Sequence, residues 1–377
     1  MVGSKRSGLV EPFHAMDVLS AANRMAAEGH DIVSLAVGQP SALPPRAVRE
    51  AAARAVRDGP LGYTDALGRA ELRDAIARHY ADHYGVKVPR ERIVVTTGSS
   101  AGFALAFLTL FEAGNRVLIE RPGYPAYRNI MRVMGLEVVE VERADDVTIE
   151  AAAAAGPLSG VLVASPANPT GTVISTARMA GIVRACAATG ARLISDEIYH
   201  RLTYDGAPDA TVLAQSDTAV IINSFSKYYC MTGWRVGWMV VPESLVRAVE
   251  RVAQNLYISA PDASQIGATH AFDGTDELEA VRRGYAQNRS LLLRSLPELG
   301  FRLAARSDGA FYAWCDVSGL TNDAMAFSRR MLNEAGVAAP PGHDFDPIDG
   351  DRTMRFSYAG SHEDVTRAVE RLRRWLG

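Results

Sequence analysis

Between about residues 93 and 240, short runs of apolar residues alternate with longer segments of helical spacing, and this alternation constrains the fold more than any other feature. The runs that predict strands cover residues 93–96, 117–119, 138–139, 161–164, 192–195 and 220–222. Most of them are continuous, which is typical of strands that are buried on both faces of a sheet. Residues 101–111 and 176–189 carry the helical spacing. This order predicts a doubly wound α/β fold, in which ligands bind beyond the C-terminal ends of the strands.

The C-terminal part of the chain has a different pattern. Residues 311–314 and 354–358 predict strands, and Ser361 to Asp364 resembles a capping box that opens a final helix. A length of 377 residues favours two domains. We therefore predict a large domain over residues 46–280 and a smaller α+β domain over residues 281–377, with residues 1–45 packing on the smaller one.

The composition argues against several classes of protein. The chain is 48% hydrophobic and 22% charged, and its net charge of -3 provides no bulk attraction to nucleic acid or to an anionic membrane. It contains no apolar run of the roughly 20 residues that cross a bilayer. The N-terminal residues lack the apolar core of a secretory signal, and the 3 widely spaced cysteines favour a reducing compartment. We therefore expect a cytoplasmic protein.

One lysine, Lys227, stands among hydroxyl side chains in the segment 224–237, which also contains Ser224, Ser226 and Arg235. A lysine that attacks a carbonyl group needs surroundings that disfavour its positive charge. Serine hydroxyls and a guanidinium group are suited to binding a phosphate. A phosphorylated aldehyde that is held as a Schiff base requires both, and pyridoxal 5'-phosphate is such a molecule. Taken alone, the Ser-x-Ser-Lys pattern favours a solvated lysine after a strand.

Further candidate residues follow other predicted strands. Ser99 and Ser100 precede a helix, where backbone N–H groups and hydroxyls can bind a phosphate, although a simple helix N-cap also explains them. Tyr124, in Pro-Gly-Tyr-Pro, can lie flat on an aromatic ring or can simply occupy a turn. Asn168, in the turn sequence Asn-Pro-Thr-Gly, can donate a hydrogen bond to a phenolate oxygen.

Asp196 and Tyr199 follow the strand predicted over residues 192–195. A buried aspartate must be paired, and a pyridinium N–H is an adequate partner for it. Protonation of that nitrogen makes the ring a better acceptor of electrons. Tyr199 can share the phenolate oxygen with Asn168. We interpret Glu197 and His200 as supporting or structural residues.

Together these motifs resemble those of the class I aminotransferases of the aspartate aminotransferase superfamily, the fold type I pyridoxal-phosphate enzymes. The resemblance extends from Gly38 to the last helix. It rests on the Tyr63 to Arg73 pattern YTxxxGxxxLR, PGYP, NPTG, DEIY, SxSKxxxxxGxRxG and a late Arg-Phe-Ser. It implies a mostly parallel, doubly wound, seven-stranded sheet beside a smaller α+β domain.

The resemblance also implies a set of cofactor-binding residues, which are Tyr63, Ser99, Ser100, Tyr124, Asn168, Asp196, Tyr199, Ser224, Ser226, Lys227 and Arg235. Lys227 forms the Schiff base and later moves the proton, and Asp196 holds the ring nitrogen. Asn168 and Tyr199 hold the phenolate oxygen, while Tyr124 stacks on the ring. The serines and the arginine of this set bind the phosphate.

Two further implications concern the partner subunit and the substrate. In similar enzymes the residue in the place of Tyr63 reaches the phosphate of the partner, which implies a homodimer with shared active sites. Arg355, with Asn168 and the backbone at Gly38, is implied to bind the substrate α-carboxylate, for which a guanidinium fork is suited. Without the resemblance, an arginine in a late strand is more often a surface ion-pair partner.

The implied reaction is a ping-pong transfer of an amino group from an L-amino acid to a 2-oxo acid. Similar enzymes that use dicarboxylates often place an extra basic residue in the pocket, and in one bacterial subgroup a lysine occupies the place of Ser100. We therefore expect a small or apolar donor such as alanine, valine or methionine, with pyruvate or 2-oxoglutarate as acceptor. We also expect residues 257–261 to line the pocket. Aspartate is the alternative donor, for which an arginine such as Arg128 would replace the missing lysine.

Three rival functions share part of this sequence pattern. A pyridoxal-phosphate-dependent lyase, decarboxylase or synthase would use the same residues. A ligand-sensing regulator is disfavoured because no N-terminal helix-turn-helix extension or basic patch is evident. His79 and His83 have the i, i+4 spacing of metal ligands, but a third ligand is not evident and a solvated helix face explains them better.

Overall fold

A computed structural model describes residues 3–377; Met1 and Val2, which open the predicted N-terminal segment, lie outside the described residues. The helices are α1 (His14–Ala27), α2 (Arg46–Asp58), α3 (Ala70–Tyr84), α4 (Gly98–Leu110), α5 (Pro125–Val133), α6 (Asp146–Ala154), α7 (Thr176–Thr189), α8 (Glu243–Leu256), α9 (Asp262–Thr269), α10 (Thr275–Glu298), α11 (Ala324–Ala335) and α12 (His362–Leu376). Within residues 3–377, none of these helices has both the length and the apolar character that crossing a bilayer requires.

The strands are β1 (Val33–Ser34), β2 (Ile93–Thr96), β3 (Arg116–Glu120), β4 (Glu137–Val141), β5 (Gly160–Ala164), β6 (Arg192–Asp196), β7 (Val220–Ser224), β8 (Gly237–Val240), β9 (Arg302–Leu303), β10 (Tyr312–Asp316), β11 (Val337–Ala338) and β12 (Thr353–Ser357). Seven of them form the central sheet in the order β2-β8-β7-β6-β5-β3-β4. β8 is antiparallel to both of its neighbours, and the other pairs are parallel. The predicted mostly parallel, doubly wound α/β sheet is therefore confirmed.

Successive residues of the central strands enter two different hydrophobic cores. Val94, Ile194 and Ile222 belong to the core on one face of the sheet. Val95 and Ile221, each next to one of those residues in sequence, belong to the core on the other face. Because side chains alternate between the faces of a strand, a sheet covered by helices on both sides needs apolar residues at every position. The continuous apolar runs follow from this requirement.

Two small sheets form the remainder of the β-structure. β9, β10 and β12 make an antiparallel sheet, and β1 pairs with β11 in parallel register, Val33 opposite Val337. The N-terminal segment thus hydrogen-bonds to the C-terminal part of the chain. Ser361 caps α12, since its hydroxyl oxygen accepts the N–H of Asp364 at 3.1 Å. α10 continues through residue 280, and the predicted domain boundaries remain predictions.

Candidate active site

A cavity at the C-terminal edge of the parallel strands brings together most of the residues predicted from the sequence. Those that line it are Gly38, Ser99, Ser100, Tyr124, Asn168, Asp196, Tyr199, Ser226, Lys227, Arg235 and Arg355. Asp196 ends β6, and Ser99 lies in the first turn of α4 directly after β2. Arg355 comes from β12 of a small sheet. The cavity therefore lies where a doubly wound sheet is expected to bind its ligand.

Lys227 occupies the loop that follows β7. Its Nζ donates a hydrogen bond to the backbone oxygen of Gly38 at 2.7 Å. Burial, followed by the positive charges of Arg355 and Arg235, lowers the pKa of Lys227 to about 8. A larger fraction of the amine is therefore neutral near physiological pH than for a solvated lysine. The neutral amine is the form that attacks a carbonyl group or removes a proton.

Asp196 is almost completely buried at the end of β6. Burial raises the pKa of its carboxyl group to about 6, although hydrogen bonds from Tyr127 and from the N–H of Ile198 oppose that shift. The Ile198 N–H lies 3.0 Å from Oδ1, and the Tyr127 hydroxyl donates to Oδ2. A buried carboxylate with a raised pKa is stabilised by a cationic partner in the cavity. Sequence reasoning missed Tyr127. The signal that could have identified it is a second tyrosine, three residues after Tyr124 and in the first turn of α5.

Arg355 is buried between two aromatic rings. Its Cζ lies 4.3 Å from the ring centre of Tyr312 and 4.6 Å from that of Phe345. Its Nη1 donates to Oδ1 of Asn168 at 2.8 Å, and its Nη2 donates to the backbone oxygen of Ala36 at 2.7 Å. Within the described part of the chain, its buried Nε has no hydrogen-bond partner. The guanidinium is thus held rigidly and retains a donor for a ligand.

Tyr312 is a second site residue that sequence reasoning missed, since it was assigned only to a strand. Its hydroxyl lies 2.8 Å from that of Tyr199, so the two phenols form a pair at the cavity wall. A Cβ at Gly38 would lie 1.6 Å from the Tyr312 hydroxyl. Only glycine at position 38 therefore has room beside the Tyr312 hydroxyl.

The start of α4 and Arg235 form a site suited to an anion. Gly98 has φ of +74°, and a Cβ there would lie 2.4 Å from Nη2 of Arg235. The glycine thus permits the close approach of the guanidinium to the helix start. The free N–H groups of the first turn, with the hydroxyls of Ser99 and Ser100, point to phosphate as a suitable ligand.

Ser224 and Tyr63 are the predicted site residues that do not line this cavity. Ser224 ends β7, and its Oγ lies 2.8 Å from Oγ of Ser226 and 3.1 Å from the carbonyl oxygen of Val236. Ser224 therefore contacts Ser226 beside the cavity, and its role as a phosphate ligand remains a prediction. Tyr63 is 84% exposed in the loop before α3.

Residues 257–261 also lie outside the cavity of their own chain, contrary to expectation. The hydroxyl oxygen of Ser259 accepts the N–H of Thr64 at 3.4 Å, and Ile258 is exposed. The segment therefore packs beside the loop of Tyr63. The fold therefore places the segment outside the cavity that Lys227 lines.

Arg128 is buried outside the cavity. Its Nη1 donates to Oε1 of Glu140 at 2.8 Å, and its Nη2 donates to the backbone oxygen of Asp344 at 2.9 Å. Its charge is thus compensated by Glu140. Arg128 does not take the place of the extra pocket cation on which the aspartate alternative depended.

The remaining candidates from the sequence lie behind the cavity or at the surface. Oε2 of buried Glu197 is 3.5 Å from Nδ1 of His200. Nε2 of His83 is 2.8 Å from Asp209, and the ring of His79 stacks in an aromatic cluster. Among residues 3–377, no three His, Cys, Asp or Glu side chains are grouped so as to hold a metal ion.

Comparisons with known proteins cover the entire length of the chain. The family model described as aminotransferase class I and II matches residues 30–372. A valine–pyruvate aminotransferase of Mycobacterium tuberculosis is 49% identical over 376 residues, with 97% of each chain covered. A crystal structure of an aminotransferase from Mycobacterium tuberculosis has a TM-score of 0.95 at 48% identity, covering 100% of this chain and 99% of its own. The aspartate aminotransferase of Thermus thermophilus, solved with maleate, has a TM-score of 0.91 at 31% identity; the match covers 99% of this chain and 100% of that one.

Proposed function

This chain belongs to the aminotransferase class I and II family, and from that premise we propose that it transfers the amino group of a small or branched apolar L-amino acid. Valine, alanine and methionine are the proposed donors, and pyruvate or 2-oxoglutarate is the proposed acceptor. The similarity to a valine–pyruvate aminotransferase supports this class of donor.

The apolar wall of the cavity is the observation that carries the choice of donor. Its members are Phe13, Ala15, Met16, Val37 and Ile198. Within residues 3–377, the basic side chains that line the cavity are Lys227, Arg235 and Arg355, and each has a proposed role that a second substrate carboxylate would disturb. An apolar substrate side chain gains about 0.8 kcal/mol for each CH₂ group that it buries against such a wall.

The residues of the cavity fit pyridoxal 5'-phosphate, the cofactor of this family. When bound, this cofactor supplies an aldehyde carbon for covalent capture and a ring that accepts electrons. Asp196 is a buried carboxylate suited to the ring nitrogen, and the approach of Arg235 to Gly98 at the start of α4 is suited to the phosphate. The proposed ligands are Ser99, Ser100, Tyr124, Asn168, Asp196, Tyr199, Ser226, Lys227 and Arg235.

The protein groups then divide the work of the reaction. Arg355 holds the α-carboxylate of the amino acid and thereby orients the α-hydrogen. Lys227 removes that proton at Nζ and returns it, which its lowered pKa permits near neutral pH. At the opposite end of the cavity, the carboxylate of Asp196 would stabilise a positive charge on the ring nitrogen of the cofactor. The wall around the substrate side chain excludes water from the reacting atoms.

A homodimer with shared active sites is part of the proposal. Tyr63 is 84% exposed and lies in a stretch, residues 57–63, in which every residue is exposed. Leu61 and Ile258 beside it are also exposed. An apolar patch of this kind is suited to contact with a second copy. In the proposed dimer, Tyr63 contributes its hydroxyl to the phosphate site of the partner subunit.

A donor and acceptor survey tests the activity. The purified, cofactor-supplemented protein is incubated with valine, alanine, methionine or aspartate and with a 2-oxo acid, and both products are quantified by mass spectrometry. We expect equal amounts of the two products, with valine preferred over aspartate. Product formed without any 2-oxo acid, together with ammonia or carbon dioxide, would instead identify a lyase or a decarboxylase. A preference for aspartate would refute the apolar donor.

Mixing two inactive variants tests the shared site. Lys227→Ala removes the reactive amine, and Tyr63→Ala removes the proposed contribution to the partner. In a mixed dimer, one of the two sites would have both residues intact. We expect about a quarter of the wild-type activity after random exchange of equal amounts of subunits. No recovery, in a sample whose hybrids are detected by native mass spectrometry, would refute the sharing of Tyr63.

A further inference from the structure

The first helix of the chain is capped by a carboxylate from the opposite end of the sequence. α1 begins at His14, and the side chain of Phe13, its N-cap, provides no hydrogen bond. Instead Oδ1 of Asp344 accepts the N–H of His14 at 2.9 Å, and Oδ2 accepts the N–H of Ala15 at 2.7 Å. The N–H groups of a first turn have no partner within the helix, and the helix dipole favours a negative charge beside them.

Asp344 and the helix start hold each other in place. Asp344 is 4% exposed, and within residues 3–377 the hydrogen bonds to its carboxylate oxygens come from α1 alone. Loss of these N–H groups would leave a buried charge without partners, which is costly. The buried residues of α1 are Ala15 and Ala22. Val18, Ala21, Ala22 and Met25, which pack in a core cluster, lie beyond the first turn. In the first turn only Ala15 is buried, so the two hydrogen bonds are its main anchors.

The start of α1 is also part of the wall of the cavity. Phe13, Ala15 and Met16 all line the cavity that contains Lys227. The ring of Phe13 meets the ring of Tyr124 edge-on at 6.3 Å. Movement of this turn would therefore open the cavity on the side that faces the substrate side chain.

The residues around Asp344 contact two other parts of the site. The backbone oxygen of Phe345 accepts the N–H of Gly123 at 2.9 Å, in the loop that carries Tyr124. The ring of Phe345 covers Arg355 at 4.6 Å. Asp344 and Phe345 thus connect α1 to the stacking tyrosine and to the arginine proposed to bind the substrate carboxylate.

We propose that Asp344 is a positioning residue that fixes the wall of Phe13, Ala15 and Met16 and thereby sets the preference for branched over small substrate side chains. This inference rests on the proposed apolar donor. An isopropyl group carries more apolar surface to bury than a methyl group, so its binding depends more strongly on the wall. Loosening of α1 lowers the affinity for branched substrates more than the affinity for small ones.

The test compares Asp344→Asn with Asp346→Asn in the cofactor-loaded protein. Asp346 is also 4% exposed, but its Oδ1 accepts the N–H groups of Ile348 at 2.9 Å and Asp349 at 3.2 Å and lies 3.7 Å from Nη1 of Arg121. Within residues 3–377 it makes no hydrogen bond to α1. It therefore controls for the loss of one buried charge in the same segment. We expect the amides of α1 to exchange with deuterium about tenfold faster in Asp344→Asn and at the wild-type rate in Asp346→Asn.

Calorimetry supplies the second readout. 3-Methylbutanoate and propanoate correspond to valine and alanine without the amino group and bind without turnover. We expect the ratio of their affinities to fall about tenfold in Asp344→Asn and to stay unchanged in Asp346→Asn. Met16→Ala, which keeps Asp344 and removes part of the wall, should lower the same ratio.

The outcomes separate the alternatives. An unchanged exchange rate of α1 in Asp344→Asn overturns the anchoring, and faster exchange with an unchanged affinity ratio overturns the role in specificity. If Asp344→Asn does not fold, an unchanged ratio in Met16→Ala overturns the proposal. A wild-type protein that binds both carboxylates but does not transaminate would refute the proposed function alone, because neither readout depends on turnover.

Discussion

The hydroxyl group of Tyr127 donates a hydrogen bond to Oδ2 of Asp196, which lies 69 residues further along the chain. Both side chains are buried at the base of the cavity. Burial raises the pKa of Asp196, and the hydrogen bond from Tyr127 opposes this shift. Tyr127 therefore stabilises the ionised form of the carboxylate that is proposed to face the cofactor ring.

We expect Tyr127→Phe to raise the pKa of Asp196 further and to weaken the binding of pyridoxal 5'-phosphate about 10-fold or more. A hydrogen bond to a charged group contributes about 1.5–3 kcal/mol, and the substitution removes it with little change of shape. Titration of the cofactor-free protein, followed by absorbance, measures the affinity. Tyr80→Phe is the control, because the Tyr80 hydroxyl is buried against Nε1 of Trp238 at 3.2 Å, outside the cavity. Equal affinities in the two variants would contradict the role of Tyr127.

In the cofactor-free protein, we expect the reactivity of Lys227 toward an amine-directed reagent to rise with pH and to reach its midpoint near pH 8. Burial and two guanidinium groups lower the pKa of Lys227 from 10.5 to about 8. Mass spectrometry of labelled peptides distinguishes Lys227 from the exposed Lys5 and Lys87, which serve as internal controls. A midpoint near the unperturbed value of 10.5 would show that the amine is solvated.

The same shift makes the stability of the cofactor-free fold depend on pH. The pKa of Lys227 is lower in the folded state than its unfolded-state value of 10.5. Below about pH 8 the lysine is charged in both states, and its charge then destabilises the fold by its full amount. This unfavourable contribution disappears as the pH rises from about 8 to about 10.5. Lys227→Met removes the titrating group, and its free energy of unfolding should therefore exceed that of the wild type most clearly below pH 8. An equal difference at all pH values would contradict the assignment.

The central fold could be predicted because its signals are local. β2 was predicted with the bounds observed, since four apolar or β-branched residues follow one another between polar segments. β8 was missed: its first residue, Gly237, was assigned to the end of the lysine motif, and the three apolar residues after it were not assigned to a strand. Its antiparallel pairing with β2 and β7 depends on contacts between distant residues, which no local pattern contains.

The site was predictable to the extent that its chemistry depends on residue types that rarely serve packing. Lys227, Asn168 and Asp196 are polar residues at the ends of apolar strands, where a purely structural role is uncommon. Tyr127 and Tyr312 were missed because an aromatic residue within a helix or strand is explained equally well by the core. Their functional contacts are hydrogen bonds to residues 69 and 113 positions away, which only the fold brings together.

We expect Arg355→Lys to raise the KM for the amino acid about 100-fold and to change the cofactor affinity little. The guanidinium holds Asn168 and Ala36 with two of its nitrogens and is proposed to bind the substrate carboxylate, whereas a lysine amine cannot make this planar set of contacts. Loss of one partner of a buried charged pair costs about 2–5 kcal/mol. Steady-state kinetics measure the effect. Arg352→Lys, an exposed arginine just before the same strand, is the control and should keep the wild-type KM.

We expect Gly98→Ala to weaken the binding of pyridoxal 5'-phosphate at least about tenfold, whereas Gly114→Ala should leave it unchanged. Both glycines have positive φ, +74° and +86°, so an alanine at either position costs roughly 1–2 kcal/mol of backbone strain. They differ in their surroundings: a Cβ at position 98 would lie 2.4 Å from Nη2 of Arg235, and a Cβ at position 114 would meet nothing within 4 Å.

The pair therefore separates a loss of stability from a loss of the anion site. Urea unfolding should report similar destabilisation in both variants, while cofactor titration should report weaker binding in Gly98→Ala alone, because its methyl group displaces the guanidinium from the start of α4. Wild-type affinity in Gly98→Ala would mean that Arg235 binds phosphate from a different position or does not bind it. Weakened binding in both variants would mean that strain alone, and not the contact with Arg235, controls the affinity.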